Sequence, residues 1–375
     1  NPFYISHIGR HGSRYHDSSK KFDKAPEKIR KAAETGMLTE RGMALYRELM
    51  KVDSATVGNL GKLSELGAEE HQIPEVFSSE ERIYVDAASS TVRRCQESMM
   101  AFTKRLKKER KSLKVNVHSG DSYMAYLLYK PADYFDIVHL GSDVTDSLAK
   151  ALLDTTAFLS SIFKDPEEGA KLVSPSWKFM REVLIWGSIA PDIRLDDVCV
   201  PAYYTEDMRY QLAKVNACRI YSEMCNSVES GGRRMSLTET LLSDFIAKAD
   251  AALTSGSQRA ADLRFAHDVS VAPLSALIGI EGCDKRLPAK DVWKYWMTSE
   301  YVPMAMNLQM VFYRKDGDTK CKDVLVKFLL NEQERLVPAL TPVEGPYYRW
   351  KDVRKFLLEK VKYAHEINVR WGVAQ

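Results

Sequence analysis

Long apolar runs are missing from this 375-residue chain. None approaches the roughly 20 residues a membrane-crossing helix needs, so no membrane span is expected. Cysteine is sparse: six residues, at 95, 199, 218, 225, 283 and 321, form no CxxC pair. That argues against a zinc ribbon or a dithiol redox site, while the even count leaves disulfides open. Each reads by itself as a small buried apolar side chain. An excess of one charge is missing as well. With 54 Lys and Arg against 51 Asp and Glu the net charge is only +3, so no global field recruits nucleic acid and any taste for anions must be local. Repeats and low-complexity tracts are absent. No signal peptide precedes Asn1, but a strand starts almost at once, which suggests a trimmed or processed N-terminus and leaves the compartment open. What remains is an ordinary globular composition, 45% hydrophobic and 28% charged, long enough for one large domain with an insertion or for two domains.

The punctuation along the chain is α/β. Phe3–Ile8 is rich in β-formers and runs into Gly9, a strand ending at a turn. Thr39 is placed to cap a helix whose Met43, Tyr46 and Leu49 follow at helical spacing. Ile83-Tyr-Val85 reads as a strand, the segment after Ser90 as a helix with Cys95, Met99, Phe102 and Leu106 on one face, and Leu113–Val117 as another strand. Strand, helix, strand, helix, strand is the pattern of a parallel sheet covered by helices. From about Ser122 to Gly231 amphipathic segments replace strands, with prolines at 166, 175, 191 and 201 between them. Ser236-Leu-Thr-Glu239 has the form of a capping box, Asp262–His267 of a strand, and Met304–Tyr313 with Val324–Leu330 of a hairpin before a closing helix from Trp350. The expectation is an α/β fold, a mainly parallel sheet flanked by helices over residues 1–120 and 255–375, with a smaller, mostly helical domain inserted at 121–254.

At the carboxyl end of the first strand stands Arg10-His11-Gly12, where open α/β sheets place their ligands. Gly9 and Gly12 allow a sharp turn and close approach of the backbone. Arg10 and Arg14 flank His11, and guanidinium forks suit a tetrahedral oxyanion. Such neighbours disfavour imidazolium, which leaves a neutral, nucleophilic histidine. His267 and Asp268 end a second strand and offer a cation for phosphate and an acid for a leaving alcohol; Arg94, at the start of a helix, is a candidate third guanidinium.

The stretches "RHGSRY", "GMLTERG", "SSTVRRCQESMMAF", "FAHDVSVAPLSALIG" and "VPMAMNLQMVFYR" occur in that order. Together they resemble the histidine phosphatase superfamily, and within it the acid phosphatase branch. "STVRRC" followed by Ser98 is most similar to bacterial multiple inositol polyphosphate phosphatases, with phytases close by. The resemblance implies a phosphoglycerate-mutase-like α/β domain carrying a helical insert. It makes His11 the residue that is phosphorylated, Arg10, Arg14, Arg94 and His267 the phosphate pocket, and Asp268 the proton donor. Arg94 is preferred over Arg93 because the spacing through Ser98 to Phe102 fits the family's helix. His16 stands where many members have proline, and His267-Asp268 stands where inositol polyphosphate phosphatases often carry His-Ala-Glu. The resemblance also implies export to the periplasm or the cell exterior.

No cofactor and no metal is expected, since clustered guanidinium groups can neutralise phosphate. The partner expected is a phosphorylated small molecule, an inositol polyphosphate such as phytate, rather than nucleic acid. Lys20 and Lys24, in a basic run with Lys21, Lys28, Arg30 and Lys31, are candidates for meeting additional phosphates. The alternative for that run, and for Lys104–Lys114, is a solvated face. Rival functions are a general acid or sugar-phosphate phosphatase, a phosphomutase, a noncatalytic binding protein, and a metal site built from His7, His11 and His16. His7 reads as a buried, hydrogen-bonded strand histidine, and His16 is given no chemistry.

Overall fold

The computed structural model describes residues 2–17, 24–71, 82–315, 317–318 and 320–373. The chain divides into two compact units, one made of Asn1–Gly12, Ala68–Ser142 and Ala217–Gln375, the other of Ser13–Gly67 and Asp143–Asn216.

Among the described residues the first unit holds one sheet of eight strands: β1 (Pro2–Arg10), β2 (Tyr84–Ser89), β3 (Lys114–Ser119), β4 (Arg259–Ala266), β5 (Asn307–Tyr313), β6 (Leu325–Leu330), β7 (Gln333–Arg335) and β8 (Tyr348–Arg349). Their order is β3-β2-β4-β1-β5-β6-β7, with β8 beside β6. β1 through β4 pair in parallel, whereas β5 to β8 join antiparallel. The sheet is therefore mixed rather than mainly parallel, because the hairpin and its short partners add an antiparallel half next to β1. β1 is central and buried throughout its middle, which suits a strand covered on both faces. Between β2 and β3 the helix Arg93–Glu109 buries Cys95, Met99, Phe102 and Leu106, the stripe expected from its spacing. Met99, Phe102 and Leu106 pack against Ile5, Val85, Leu263 and Phe265 of the sheet.

The second unit is helical and has its own core, in which Ile29, Leu45, Phe158, Trp177, Trp186 and Tyr204 are buried. Its helix Glu40–Thr56 is capped as expected: Thr39 Oγ1 accepts from the Gly42 amide at 3.0 Å. The division differs from a single insert at 121–254. Residues 13–67, expected with the sheet, cluster with 143–216, and residues 121–142 and 217–254 cluster with the sheet. The physical reason is the apolar face of the segment 25–52, whose Ala25, Ile29, Leu45 and Leu49 complete the helical core. The proposed capping box also resolves differently. Ser236 ends a short helix, Arg233–Ser236, and donates to the Arg233 carbonyl, while Thr238 precedes the helix Glu239–Ala252.

Candidate active site

Two parallel strands end together. Arg10 of β1 is in register with Ala266 of β4, and the His11 amide donates to the Ala266 carbonyl at 3.1 Å. On the other side the Ala305 amide donates to the His11 carbonyl at 3.2 Å. The backbone of His11 is thus held from both neighbouring segments, and its side chain is buried. Nδ1 lies 2.9 Å from the Gly12 carbonyl, which requires the proton on Nδ1; a neutral imidazole so held carries its lone pair on Nε2. The Gly12 amide donates to Ser98 Oγ, 3.2 Å away on the helix after β2.

Arg10 leaves the strand end with its guanidinium fully oriented. Nη1 donates to the carbonyls of Val302 and Pro303, both at 2.9 Å, and Nη2 pairs with Asp268 Oδ2 at 2.9 Å. Asp268 is the first residue of the helix Asp268–Ile278, where a carboxylate is favoured by the helix dipole. Its Oδ1 accepts from the Val269 amide at 2.8 Å.

His267 precedes that helix and is buried, its ring 5.6 Å from that of His11 in an edge-on arrangement. Its Nε2 lies 3.2 Å from Ser90 Oγ and 3.5 Å from Cys95 Sγ, and the thiol is 3.0 Å from the Ala266 carbonyl. Burial, and next the Arg94 guanidinium, push the His267 pKa down to about 3. Burial thus favours the neutral, hydrogen-bonding ring over the positive charge expected from sequence.

The two adjacent arginines face different surroundings on the helix. Arg93 points outward into an exposed pair with Glu97 at 2.6 Å, whereas Arg94 is half-buried and acts electrostatically on His267. Arg10, His11, Arg94, His267 and Asp268 therefore belong to one unit and one end of its sheet. Arg14 belongs to the other unit, where it donates to the Tyr15 carbonyl at 2.9 Å and lies 3.7 Å from Asp17.

The remaining histidines separate from this group. His7 is buried against Phe102 and Phe265, and burial pushes its pKa down to about 3. Among the described residues its Nδ1 has no hydrogen-bond partner, so the expectation of a hydrogen-bonded ring fails at that atom. His16 stacks on Trp186 at 4.1 Å and bonds its carbonyl at 3.0 Å, inside the helical core. Among the described residues no group of three or more His, Cys, Asp or Glu could hold a metal, and no helix is long and apolar enough to cross a membrane. Gly9 is part of β1, not of a turn; a Cβ there would stand 2.9 Å from His7 Cε1. Lys20 lies outside the described residues, and the side chain of Lys24 does too. In the same run Lys28 donates to the Ser174 carbonyl and Arg30 pairs with Asp53.

Sequence reasoning missed Ser90, Cys95 and Ser98 as site neighbours. The helical spacing of Arg94, Cys95 and Ser98 carried that signal, since residues three and four apart share a helix face.

Comparison with known proteins meets this geometry. The family model "Histidine phosphatase superfamily (branch 2)" matches residues 193–331, a span that includes His267 and Asp268 but not His11. Among curated proteins none matches the chain in sequence. Among solved structures, the multiple inositol polyphosphate phosphatase of Bifidobacterium longum, complexed with inositol hexasulfate, superposes with a TM-score of 0.76 at 20% identity, covering 95% of this chain and 92% of that one. The phytase of D. castellii gives 0.66 at 15% identity over 96% and 79% of the two chains. The phytase of Klebsiella sp. ASR1 gives 0.52 at 14% over 97% and 95%. These likenesses show the fold, a central sheet flanked by helices.

Proposed function

We propose, from a fold shared with inositol polyphosphate phosphatase and phytase structures, that the protein is a phosphomonoester hydrolase that works through a phosphohistidine at His11. The observation that carries this reading is the convergence of buried His11, its Nδ1 held by Gly12, with the Arg10–Asp268 pair and His267 at one sheet end. His11 Nε2 attacks phosphorus in line, forming the N–P bond as the P–O bond to the alcohol breaks. Arg10 and Arg94 bind the equatorial oxygens, His267 hydrogen-bonds to them, and the family motif adds Arg14 to this set. A bound substrate phosphate competes with Asp268 for Arg10; freed of the guanidinium, the Asp268 carboxylate takes up a proton from solvent and gives it to the leaving oxygen as the P–O bond breaks. Water then attacks phosphorus, its proton passes to the Asp268 carboxylate, the N–P bond breaks, and phosphate and neutral His11 are restored.

The substrate class proposed is the inositol polyphosphates, phytate among them. Its support is the "STVRRC" motif and the names of the structural neighbours, two of which are phytases. A general acid phosphatase is the second reading, favoured by His267-Asp268 where His-Ala-Glu is frequent in the inositol polyphosphate phosphatases. Export to the periplasm or cell exterior follows from the same resemblance.

The test compares phytate, glucose-1-phosphate and nitrophenyl phosphate as substrates for the wild type and His11→Ala. The wild type is expected to release phosphate in the presence of EDTA and to be blocked by vanadate, and His11→Ala to lose about 10⁴-fold or more of the rate. Normal turnover by His11→Ala sinks the phosphohistidine scheme. Phytate turned over no faster than nitrophenyl phosphate favours the general phosphatase.

A further inference from the structure

Arg234 is 1% exposed, and among the described residues it forms no ion pair. A buried guanidinium without a carboxylate partner is costly and asks for a reason. Its hydrogen bonds supply one. Nε donates to the Glu223 carbonyl at 2.7 Å; Nη2 donates to the Val269 carbonyl at 2.7 Å and to the Tyr134 hydroxyl at 3.2 Å. Val269 is the second residue of the helix that starts at Asp268, and its carbonyl should accept from the amide four residues on. That residue is Pro273, inside the helix, which has no amide proton. Arg234 thus fills the one acceptor that Pro273 leaves open in the first turn. The same peptide is held at its other end, because the Val269 amide donates to Asp268 Oδ1. Ser270 fastens the turn once more by donating to the Leu127 carbonyl at 2.5 Å. Burial pushes the Arg234 pKa down, with Tyr134 and then Asp268 pulling it back, which puts the buried charge within electrostatic reach of Asp268.

We infer that Arg234 is a positioning residue for Asp268: it clamps the Val269 carbonyl orphaned by Pro273 and so sets the turn from which Asp268 reaches the leaving oxygen. This rests on the reading of Asp268 as the acid. An acid must come within hydrogen-bond distance of its acceptor, and a small displacement costs rate only where proton donation matters. Nitrophenolate leaves without help, whereas an alkoxide does not.

The experiment measures kcat for glycerol phosphate and for nitrophenyl phosphate in wild type, Arg234→Met, Arg234→Lys and Asp268→Asn, with inorganic phosphate as competitive inhibitor and the melting temperature of each. Arg234→Met is expected to lose about tenfold or more on glycerol phosphate and a markedly smaller factor on nitrophenyl phosphate, with phosphate inhibition within about twofold of wild type; Arg234→Lys recovers part of the loss. Equal losses on both substrates, or a weakened phosphate inhibition, overturn the inference by making Arg234 structural or part of the pocket. If Arg234→Met does not fold, Arg234→Lys and Tyr134→Phe decide by the same ratio. An Asp268→Asn variant without leaving-group discrimination overturns the acid reading itself, separately from the role of Arg234.

Discussion

Arg93 and Arg94 differ by one position and by everything that matters to the site. On a helix one step is about 100° of rotation, enough to turn one guanidinium to solvent and its neighbour toward the sheet end. Arg93 is held by an exposed i,i+4 pair with Glu97, worth a few tenths of a kcal/mol. Arg94 acts on His267. Arg94→Ala is therefore expected to raise the inhibition constant for inorganic phosphate about 10- to 100-fold, the loss of one charge-assisted hydrogen bond. Arg93→Ala should leave it within about twofold; equal effects of the two would reverse the assignment. Both candidates were legible in the sequence, and the family spacing pointed to Arg94, the less exposed of the two. Helical spacing put Ser98 on the face of Arg94, but its bond to the Gly12 amide was not legible, because nothing in a serine at a helix position says which backbone it will meet across the sheet.

At the scale of elements, the clearest agreement is the helix Glu40–Thr56. Thr39 caps it through the Gly42 amide and also donates to the Ser161 carbonyl at 2.9 Å, so one side chain joins two segments of the helical unit. Thr39→Ala is expected to destabilise that unit by about 1 to 2 kcal/mol, read as a lowered melting temperature. An unchanged midpoint would mean that water replaces both bonds. The strand β1 and the helix Arg93–Glu109 were equally readable, from β-branched density in one and a four-residue apolar stripe in the other. Ser236 was misleading for a physical reason. A Ser-x-x-Glu pattern describes a helix start only if the chain before it is not already helical, and here Arg233–Ser236 is.

For the whole molecule the buried histidines set a pH dependence. Burial holds His7 and His267 down to about 3 and His71 to about 4, and lowers His16. Each is neutral in the folded chain but takes a proton near pH 6.5 when unfolded. Between those values the unfolded state binds more protons, so stability falls as pH falls through 6.5 and keeps falling until the folded pKa is passed. A group held fully neutral in the fold costs stability on the order of 1 kcal/mol per pH unit over such a window. The melting temperature is expected to drop steadily from pH 7 to pH 4.5, and His7→Phe, an apolar ring at a site lined by Phe102 and Phe265, should flatten that slope. A slope unaffected by His7→Phe would show that groups other than His7 govern the acid limb.

Local pattern determined the element types, the placement of His11 and Asp268 at strand ends, and the family to which their motifs point, because strand alternation, helical stripes and short motifs act over a few residues. Tertiary structure decided three things that no short window holds. Residues 13–67 joined the helical unit because their apolar face found its complement at 143–216. His267 is pushed toward its neutral form because burial and then the Arg94 guanidinium outweigh the adjacent carboxylate. Arg234, a residue without any motif, became the partner of a carbonyl that Pro273 left open, since only packing brings position 234 to the first turn at 268.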